Sequence, residues 1–199
     1  KAEADANAAV KAPDRSAILL AQADLLKQKA QYKEAAKVYE SVRFQGFGPA
    51  LTPATYGLAE CRYALGDVDK AMEMWESVLK LPAGPSNTTQ RASSLLNLGN
   101  VWLDDRGAPV KAAARFEELV RQYPDSPQAL EGAVSWALAL LYQGRTGEAE
   151  RLLLAAKVKR GKPPAGPRDT LERLLRLCRG ERSNALPTLK KRGAEAEMG

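Results

Sequence analysis

The stretch LLNLGNVWLDDRGAPVKAAARFEELVRQYPDSP, residues 95–127, decides how this chain folds. Leu95, Leu98, Gly99 and Trp102 follow the i, i+3, i+4, i+7 spacing that places side chains on one face of a helix. We therefore predict an amphipathic helix whose packing face carries three large apolar side chains and one bare backbone position.

A second helical pattern follows after a short break. Ala112, Phe116 and Leu119 are spaced to share a face, and Pro124 is expected to end the helix because proline has no backbone N–H. The break, residues 104–107 (Asp-Asp-Arg-Gly), lacks apolar periodicity and holds a glycine that can take a positive φ. Because so short a turn brings the two helices back side by side, the stretch should form an antiparallel hairpin.

A pair of small residues recurs along the chain. In the quoted stretch the pair is Gly99 and Ala112, which we expect to face each other across a close helix crossing. This pair is 13 residues apart and the other three are 12 apart, which assigns one extra residue to the turn at 104–107. Each copy adds an aromatic residue or leucine four positions later and a turn glycine, replaced by Ala30 in the first copy. The other small pairs with their large residues are Ala23, Ala35 and Tyr39; Ala59, Ala71 and Trp75; and Ala137, Ala149 and Leu153.

This pattern resembles the tetratricopeptide repeat, a helix-turn-helix unit of about 34 residues with the signature Trp-x2-Leu-Gly-x2-Tyr, Ala-x3-Phe and Pro. The matching residues here are Leu95, Leu98, Gly99, Trp102, Ala112, Phe116 and Pro124. The resemblance implies an all-α, right-handed superhelical solenoid of antiparallel helix pairs, because one hairpin cannot bury its own apolar faces. With an N-terminal helix and a C-terminal capping helix, we expect ten helices.

The repeat spacing divides the chain into segments. The first segment is Ala-rich and fits two interpretations, the second helix of a partial repeat or an ordinary N-terminal helix that caps the stack. The last residues lack periodicity and are expected to be disordered. The predicted segments are an N-terminal helix at 1–15; repeats at 16–51, 52–90, 91–126 and 127–160; a capping helix at 161–180; and a basic tail at 181–199.

The side chains that catalysis and metal binding usually need are scarce. The sequence has no histidine, which removes the commonest general base and metal ligand near neutral pH. Cys61 and Cys178 cannot form a structural zinc site by themselves, and we expect both to be small core residues. No apolar run approaches the about 18 residues of a membrane span. We predict that the protein is not an enzyme and that it needs neither a cofactor nor a metal ion.

Resemblance to the repeat family supplies the expected function, which is binding of a protein partner as a peptide or helix on the concave face lined by first helices. The best-known subclass grips a C-terminal carboxylate with lysines and asparagines there, but only Asn100 fits that pattern. Carboxylate binding is therefore not expected. The predicted partner-binding residues are Leu20, Asp24, Tyr56, Glu60, Tyr63, Leu96, Asn100, Leu103, Val134 and Leu138.

The C-terminal half of this predicted surface is apolar, so something should cover it. We expect the capping helix to cover Leu138 and Leu141, with an amphipathic helix of a partner as the alternative. The binding surface would then centre on Tyr56, Tyr63 and Leu96, with the tyrosines as anchors.

Two further features concern location and a second function. The segment 116–127 is similar to bacterial envelope members of the family that assist outer-membrane assembly or polysaccharide export, which favours the periplasm or envelope. From Lys157 to Arg192 there are 12 Lys or Arg against three acidic residues, a net +9 beside the +6 of the whole chain. An alternative function is therefore an adaptor whose basic end contacts nucleic acid or an anionic membrane surface. No aromatic residue interleaves these charges, which argues against nucleic acid.

Overall fold

The computed structural model describes residues 15–44, 48–160 and 165–180, and the chain divides into two compact units at residues 1–87 and 88–199. The predicted N-terminal helix at 1–15, except for Arg15, and the predicted tail at 181–199 lie outside the described residues. Helices make up the secondary structure of the described part, which contains no strand. The prediction of an all-α chain of helix pairs is confirmed.

Unit 1 consists of two helical hairpins. Its helices are α1 (Arg15–Gln28), α2 (Tyr32–Phe44), α3 (Leu51–Ala64) and α4 (Val68–Lys80), followed by a 3-10 turn at Pro85–Asn87. Each helix packs against the next, and α1 also contacts α3. The buried cluster that joins α1, α2 and α3 comprises Ala23, Ala35, Ala36, Tyr39, Val42, Ala50, Ala54, Leu58 and Cys61.

Unit 2 contains two more hairpins and a final helix. Its helices are α5 (Thr88–Asn100), which continues into a π turn at Val101–Asp105, α6 (Pro109–Gln122), α7 (Gln128–Tyr142), α8 (Thr146–Arg160) and α9 (Ala165–Cys178). The last helix packs against both α7 and α8. Their shared buried cluster comprises Leu130, Val134, Ala137, Leu140, Ala149, Leu153, Leu171, Leu174 and Leu175.

The predicted small-residue pairs lie in the core of all four hairpins. Seven of these eight residues are alanines with no exposed surface, and Gly99 is also buried. The large residue that follows each pair is buried to the same extent, with at most 1% of its surface exposed. These large residues are Tyr39, Trp75, Phe116 and Leu153.

The space beside Gly99 is filled by an aromatic ring. The three atoms nearest to a Cβ added at Gly99 all belong to the ring of Phe116. The missing side chain therefore makes room for this aromatic ring, and a direct contact between Gly99 and Ala112 stays a prediction. The two small residues are both buried, and the large residue fills the space that Gly99 leaves.

Two further glycines have the same role, and the sequence pattern did not indicate them. A Cβ at Gly57 on α3 would strike the ring of Tyr39 on α2, and one at Gly132 on α7 would lie 2.5 Å from Leu119 Cδ2 on α6. In these two cases the large side chain of one hairpin packs onto the first helix of the next. Helices therefore approach each other closely between hairpins as well as within them.

The turns between paired helices depend on a residue with positive φ. Gly66 and Gly144 have φ values of 83° and 73°, and Ala30 takes the equivalent conformation at 58°. In each turn the backbone N–H of this residue bonds to a carbonyl three residues earlier, and the next N–H bonds to one five residues earlier, at 2.9–3.0 Å. This is the Schellman end of a helix, which satisfies the last carbonyl groups.

The extra residue of the third hairpin was predicted to lie in the turn at 104–107. In the structure it is not confined to that turn, because the helix itself changes earlier. From Val101 the chain forms a π turn, in which the N–H of Arg106 bonds to the carbonyl of Val101 at 3.0 Å. The N–H of Ala108 then reaches back six residues to Trp102 at 2.7 Å. The added residue thus widens the last helical turn, and Gly107 still supplies the positive φ of 55°.

We predict that Ala30→Gly stabilises the protein. An L side chain in the left-handed region costs about 1–2 kcal/mol, partly offset by the greater freedom of glycine in the unfolded chain, so a net gain of about 0.5–1 kcal/mol is expected. The thermal midpoint should rise by about 1–4 °C in a circular dichroism melt. The control Ala114→Gly, at an exposed position inside α6, should lower it.

We also predict that Gly99→Leu destabilises the protein by about 1–3 kcal/mol, because the added side chain overlaps the ring of Phe116. Gly147 is the matched control, since a Cβ there meets nothing within 4 Å and Gly147→Leu should change stability by only about 0.5 kcal/mol. Urea unfolding of both variants measures the difference. An equal loss of unfolding free energy in the two variants would contradict the packing of Phe116 against Gly99.

Candidate functional site

Unit 1 brings several of the predicted binding residues into one polar cluster on its first helices, α1 and α3. The ammonium of Lys27 on α1 donates to Glu60 Oε2 on α3 at 2.6 Å, and the hydroxyl of Tyr56 donates to Glu60 Oε1 at 3.0 Å. The hydroxyl of Tyr39, on α2, donates to Asp24 Oδ1. The Lys27 ammonium lies 3.9 Å from Asp24, so one cation links carboxylates on both helices.

Tyr39 anchors this cluster in the core. Its side chain is fully buried, so its hydroxyl needs a partner, and Asp24 supplies one. Burial, reinforced by the hydrogen bond to Asp24, raises the pKa of Tyr39 far above its ordinary value near 10. The hydroxyl consequently stays protonated and holds the Asp24 carboxylate in place. The repeat spacing predicted Tyr39 only as a large residue of the core. Its hydroxyl was the signal that a polar partner, here Asp24, should lie nearby.

Cys61 lies beneath the same cluster and is buried. Burial raises the pKa of its thiol to about 11, with Lys27 acting in the opposite direction. A thiol with such a pKa is a poor nucleophile near neutral pH. Cys178 in α9 is half-buried, and burial also raises its pKa. Both thiols therefore have the properties of packing residues.

The other predicted residues of unit 1, Leu20 and Tyr63, lie on the same two helices and are partly or largely exposed. Leu20 is half-buried and packs against the core of the unit. Tyr63 exposes 42% of its surface, and its ring lies 5.7 Å from the ring of buried Trp75 at an angle of 50°. Packing against Trp75 on one side therefore restrains an aromatic ring whose other side faces solvent.

The predicted residues of unit 2 offer less surface than those of unit 1. Leu96 and Val134 each expose only 7% of their surface. Asn100, Leu103 and Leu138 are half-buried. The accessible groups among these predicted residues are therefore one amide and the partly exposed side chains of two leucines.

The last helix, α9, packs where the sequence pattern placed a cap. Leu171, Leu174 and Leu175 are buried in the cluster that α9 shares with α7 and α8, and Leu138 and Leu141 pack against that cluster. The cap helix therefore covers part of the apolar surface that the predicted binding face contained.

Across residues 15–44, 48–160 and 165–180, His, Cys, Asp and Glu do not gather in any group of three or more that could hold a metal ion. Within the same ranges, each helix is too short or too polar to cross a membrane.

Comparison with known protein families identifies the architecture. Two family models, each described as a tetratricopeptide repeat, match residues 20–88 and 93–126. The chain belongs to the tetratricopeptide repeat (TPR) family. The match spans hairpins of both units, and the resemblance inferred from the residues around Gly99 is confirmed. The search of curated proteins found no match to this chain.

Solved structures with the same fold include several TPR proteins. The repeats of a putative kinesin light chain from Podosopora anserina are 22% identical with a TM-score of 0.65, and 90% of this chain aligns with 93% of that chain. YrrB, described as a TPR protein with an unusual peptide-binding site, is 18% identical with a TM-score of 0.59, over 87% and 82% of the two chains. A TPR protein from Parabacteroides merdae is also 18% identical, with a TM-score of 0.59 over 94% and 67%. At these identities the likeness shows the fold alone.

We predict that Tyr39 makes the protein sensitive to alkali. Because its pKa is higher in the folded than in the unfolded chain, the stability it confers is fully present below pH 10 and is lost as pH rises further. The stability difference between wild type and Tyr39→Phe should shrink above pH 10 by up to about 1.4 kcal/mol per pH unit. Urea unfolding at pH 8, 10 and 11 measures this difference. A constant difference would contradict a protonated, buried hydroxyl.

Proposed function

We propose that this TPR protein is a non-catalytic interaction scaffold that binds a partner peptide or helix on the faces of its first helices. The observation that carries the proposal is the polar cluster of unit 1. Lys27 on α1 and Tyr56 on α3 both donate to Glu60 on α3, and Tyr63 is exposed close by in sequence on α3. Ordered polar groups beside a restrained aromatic ring are a common basis for recognition of a peptide.

The chemistry of this face suggests what the partner offers to unit 1. The Lys27 charge is shared between Glu60 and Asp24, so the three side chains leave a net negative charge. The side chain of Asp24 exposes 56% of its surface, whereas Lys27 exposes 27%. A partner segment with a basic or amide side chain would complement this face, and an apolar neighbour would pack on Tyr63.

The face of unit 2 favours a different contact. Leu96 and Val134 are too deeply buried to contribute more than their edges, so Asn100, Leu103 and Leu138 carry the proposed contact there. One amide among leucine edges suits a backbone hydrogen bond together with an apolar side chain of the partner. The description of YrrB as a peptide-binding TPR protein supports the same class of partner.

Two finer parts of the proposal rest on sequence alone. A role within a bacterial envelope assembly or polysaccharide-export complex rests on the resemblance of residues 116–127. The alternative, an adaptor whose basic end contacts nucleic acid or an anionic membrane, rests on charge that lies partly outside the described residues. Within the described part, Arg179 pairs with Glu150 at 3.1 Å and Lys157 lies 4.0 Å from Glu172. Some of the basic charge is therefore already balanced.

We predict that replacing Tyr56 and Tyr63 by alanine weakens peptide binding at least tenfold. Peptides selected from a random library on the wild-type full chain serve as probes, and fluorescence polarisation measures their Kd. Each aromatic anchor is expected to contribute more than about 1 kcal/mol, so loss of both should exceed tenfold. The circular dichroism spectrum should stay helical because neither ring is fully buried.

Phe44→Ala is the matched control for this experiment. Phe44 lies at the end of α2, a second helix, and exposes 94% of its surface, so its removal should not change the Kd. Equal loss in the control and the double variant would contradict a site on the first helices. Binding that survives the double variant and weakens steeply with salt would favour the basic C-terminal end instead.

A further inference from the structure

Unit 2 contains a cleft on the side of α7 that lies away from the predicted binding residues of that helix. Its volume is about 140 Å³, its lining is mostly apolar, and it is open to solvent on one side. Ala133 lines the cleft and stands five residues before Leu138, so their side chains leave the helix about 140° apart. The floor is the start of α7, and α6 and α8 form the walls, with Ala129, Leu130, Ala133, Val120, Ala155 and Ala156 among the lining residues.

Three alanines account for the space in this cleft. Ala133 and Ala129 lie four and eight residues before the first small residue of their pair, and Ala156 lies seven residues after the second. The fourth hairpin therefore has alanine at three positions where each of the other hairpins has a larger side chain. These larger residues are Leu19, Thr55 and Leu95 for Ala133; Arg15, Leu51 and Arg91 for Ala129; and Val42, Val78 and Leu119 for Ala156.

The volume of the cleft matches one aromatic ring. An apolar protein cavity of about 150 Å³ takes up a single benzene molecule, so a cleft of about 140 Å³ with the same kind of lining has room for one phenyl ring. A membrane surface is a poor match, because insertion into lipid needs apolar side chains that protrude. Leu130 and Ala133 instead lie at the bottom of a concavity, with at most 5% of their surface exposed. The occupant must therefore insert a side chain of its own.

The α8 wall of the cleft adjoins an excess of positive charge. The last ten residues of α8, which begin at exposed Arg151, contain four basic residues and no acidic one. Glu172 of α9, 4.0 Å from the Lys157 ammonium, offsets one of these charges. On the α6 wall, Glu117 is already paired with Arg121 at 2.7 Å. A partner that carries carboxylates beside its aromatic ring would complement this charge.

We propose that this cleft is a second binding site of the TPR chain, and that it takes a peptide segment in which one aromatic side chain is flanked by aspartate or glutamate. The ring fills the space left by Ala129, Ala133 and Ala156, and the carboxylates lie along the basic end of α8. This site differs in charge from the surface proposed on unit 1, where the polar cluster on α1 and α3 is net negative. The two surfaces therefore select segments of opposite charge.

Three fluorescein-labelled peptides test the chemistry of the site on the full chain. The first has the sequence Asp-Glu-Glu-Phe-Glu-Glu, the second has alanine in place of phenylalanine, and the third has lysine in place of every acidic residue. Fluorescence polarisation measures each Kd. We expect the alanine peptide to bind at least about tenfold more weakly than the first peptide, because burial of a phenyl ring is lost. The lysine peptide should also bind at least about tenfold more weakly, because its charge matches that of α8.

Substitutions that refill the cleft test its location. Ala156→Leu supplies the side chain that α6 has at the same repeat position, and we expect it to weaken binding of the first peptide at least about tenfold. Ala155→Leu should have the same effect, and because Ala155 is exposed, this variant adds volume without disturbing the core. Ala114→Leu, at an exposed position of α6 outside the lining, is the matched control and should leave the Kd unchanged. Circular dichroism melts check that the variants are folded.

Four results would overturn the proposal. The first is that the wild-type chain shows no saturable binding of the phenylalanine peptide, and the second is equal affinity for the phenylalanine and alanine peptides. The third is a Kd that neither Ala155→Leu nor Ala156→Leu changes. The fourth comes from light scattering of the full chain without peptide. A molar mass that rises with concentration and returns to that of one chain with Ala156→Leu would assign the cleft to a second copy.

Discussion

Large side chains packed onto bare helix backbone are the contacts on which the rest of this structure depends. Phe116 fills the space at Gly99 within one hairpin, while Tyr39 and Leu119 fill the spaces at Gly57 and Gly132 between hairpins. Such contacts bring helix axes close and fix their relative rotation, because a ring or branched side chain fits only where the opposing side chain is missing. The helix faces that do not take part in these contacts, including those with the polar cluster, are positioned as a result.

Much of this arrangement can be predicted from the sequence. The features that cannot be predicted, such as the partner of Gly99 and the π turn, have physical explanations. Burial of the small-residue pairs follows from their spacing, and positive φ at the turn glycines follows from the absence of a Cβ; both properties are local. The partner of Gly99 does not follow, because spacing places a residue on a face without saying which atom opposite fills the gap. The π turn could not be predicted for a similar reason. The 13-residue spacing shows that one residue is extra, but it does not show where the backbone accommodates that residue.

The residues of the candidate binding surface could be predicted from the sequence, but their burial and hydrogen bonding were less predictable. Sequence spacing placed Asp24, Tyr56 and Glu60 on first helices, but burial and bonding depend on contacts between helices. A long lysine side chain can reach either carboxylate, and only the packed structure shows that Lys27 bridges both. In unit 2 Leu138 is partly covered by its own unit, because α9 supplies apolar surface that spacing along α7 alone does not reveal.

The π turn at Val101–Asp105 has a consequence for how this family can vary. One residue has entered a packed repeat, yet Gly99, Ala112 and Phe116 are all buried and the turn still ends on a residue with positive φ. A wider helical turn has absorbed the insertion before it reaches α6. The end of a first helix is therefore a place where a repeat can accommodate an added residue while its core residues stay buried. Through such changes the loop and surface of one repeat can diverge from its neighbours while the core sequence pattern is kept.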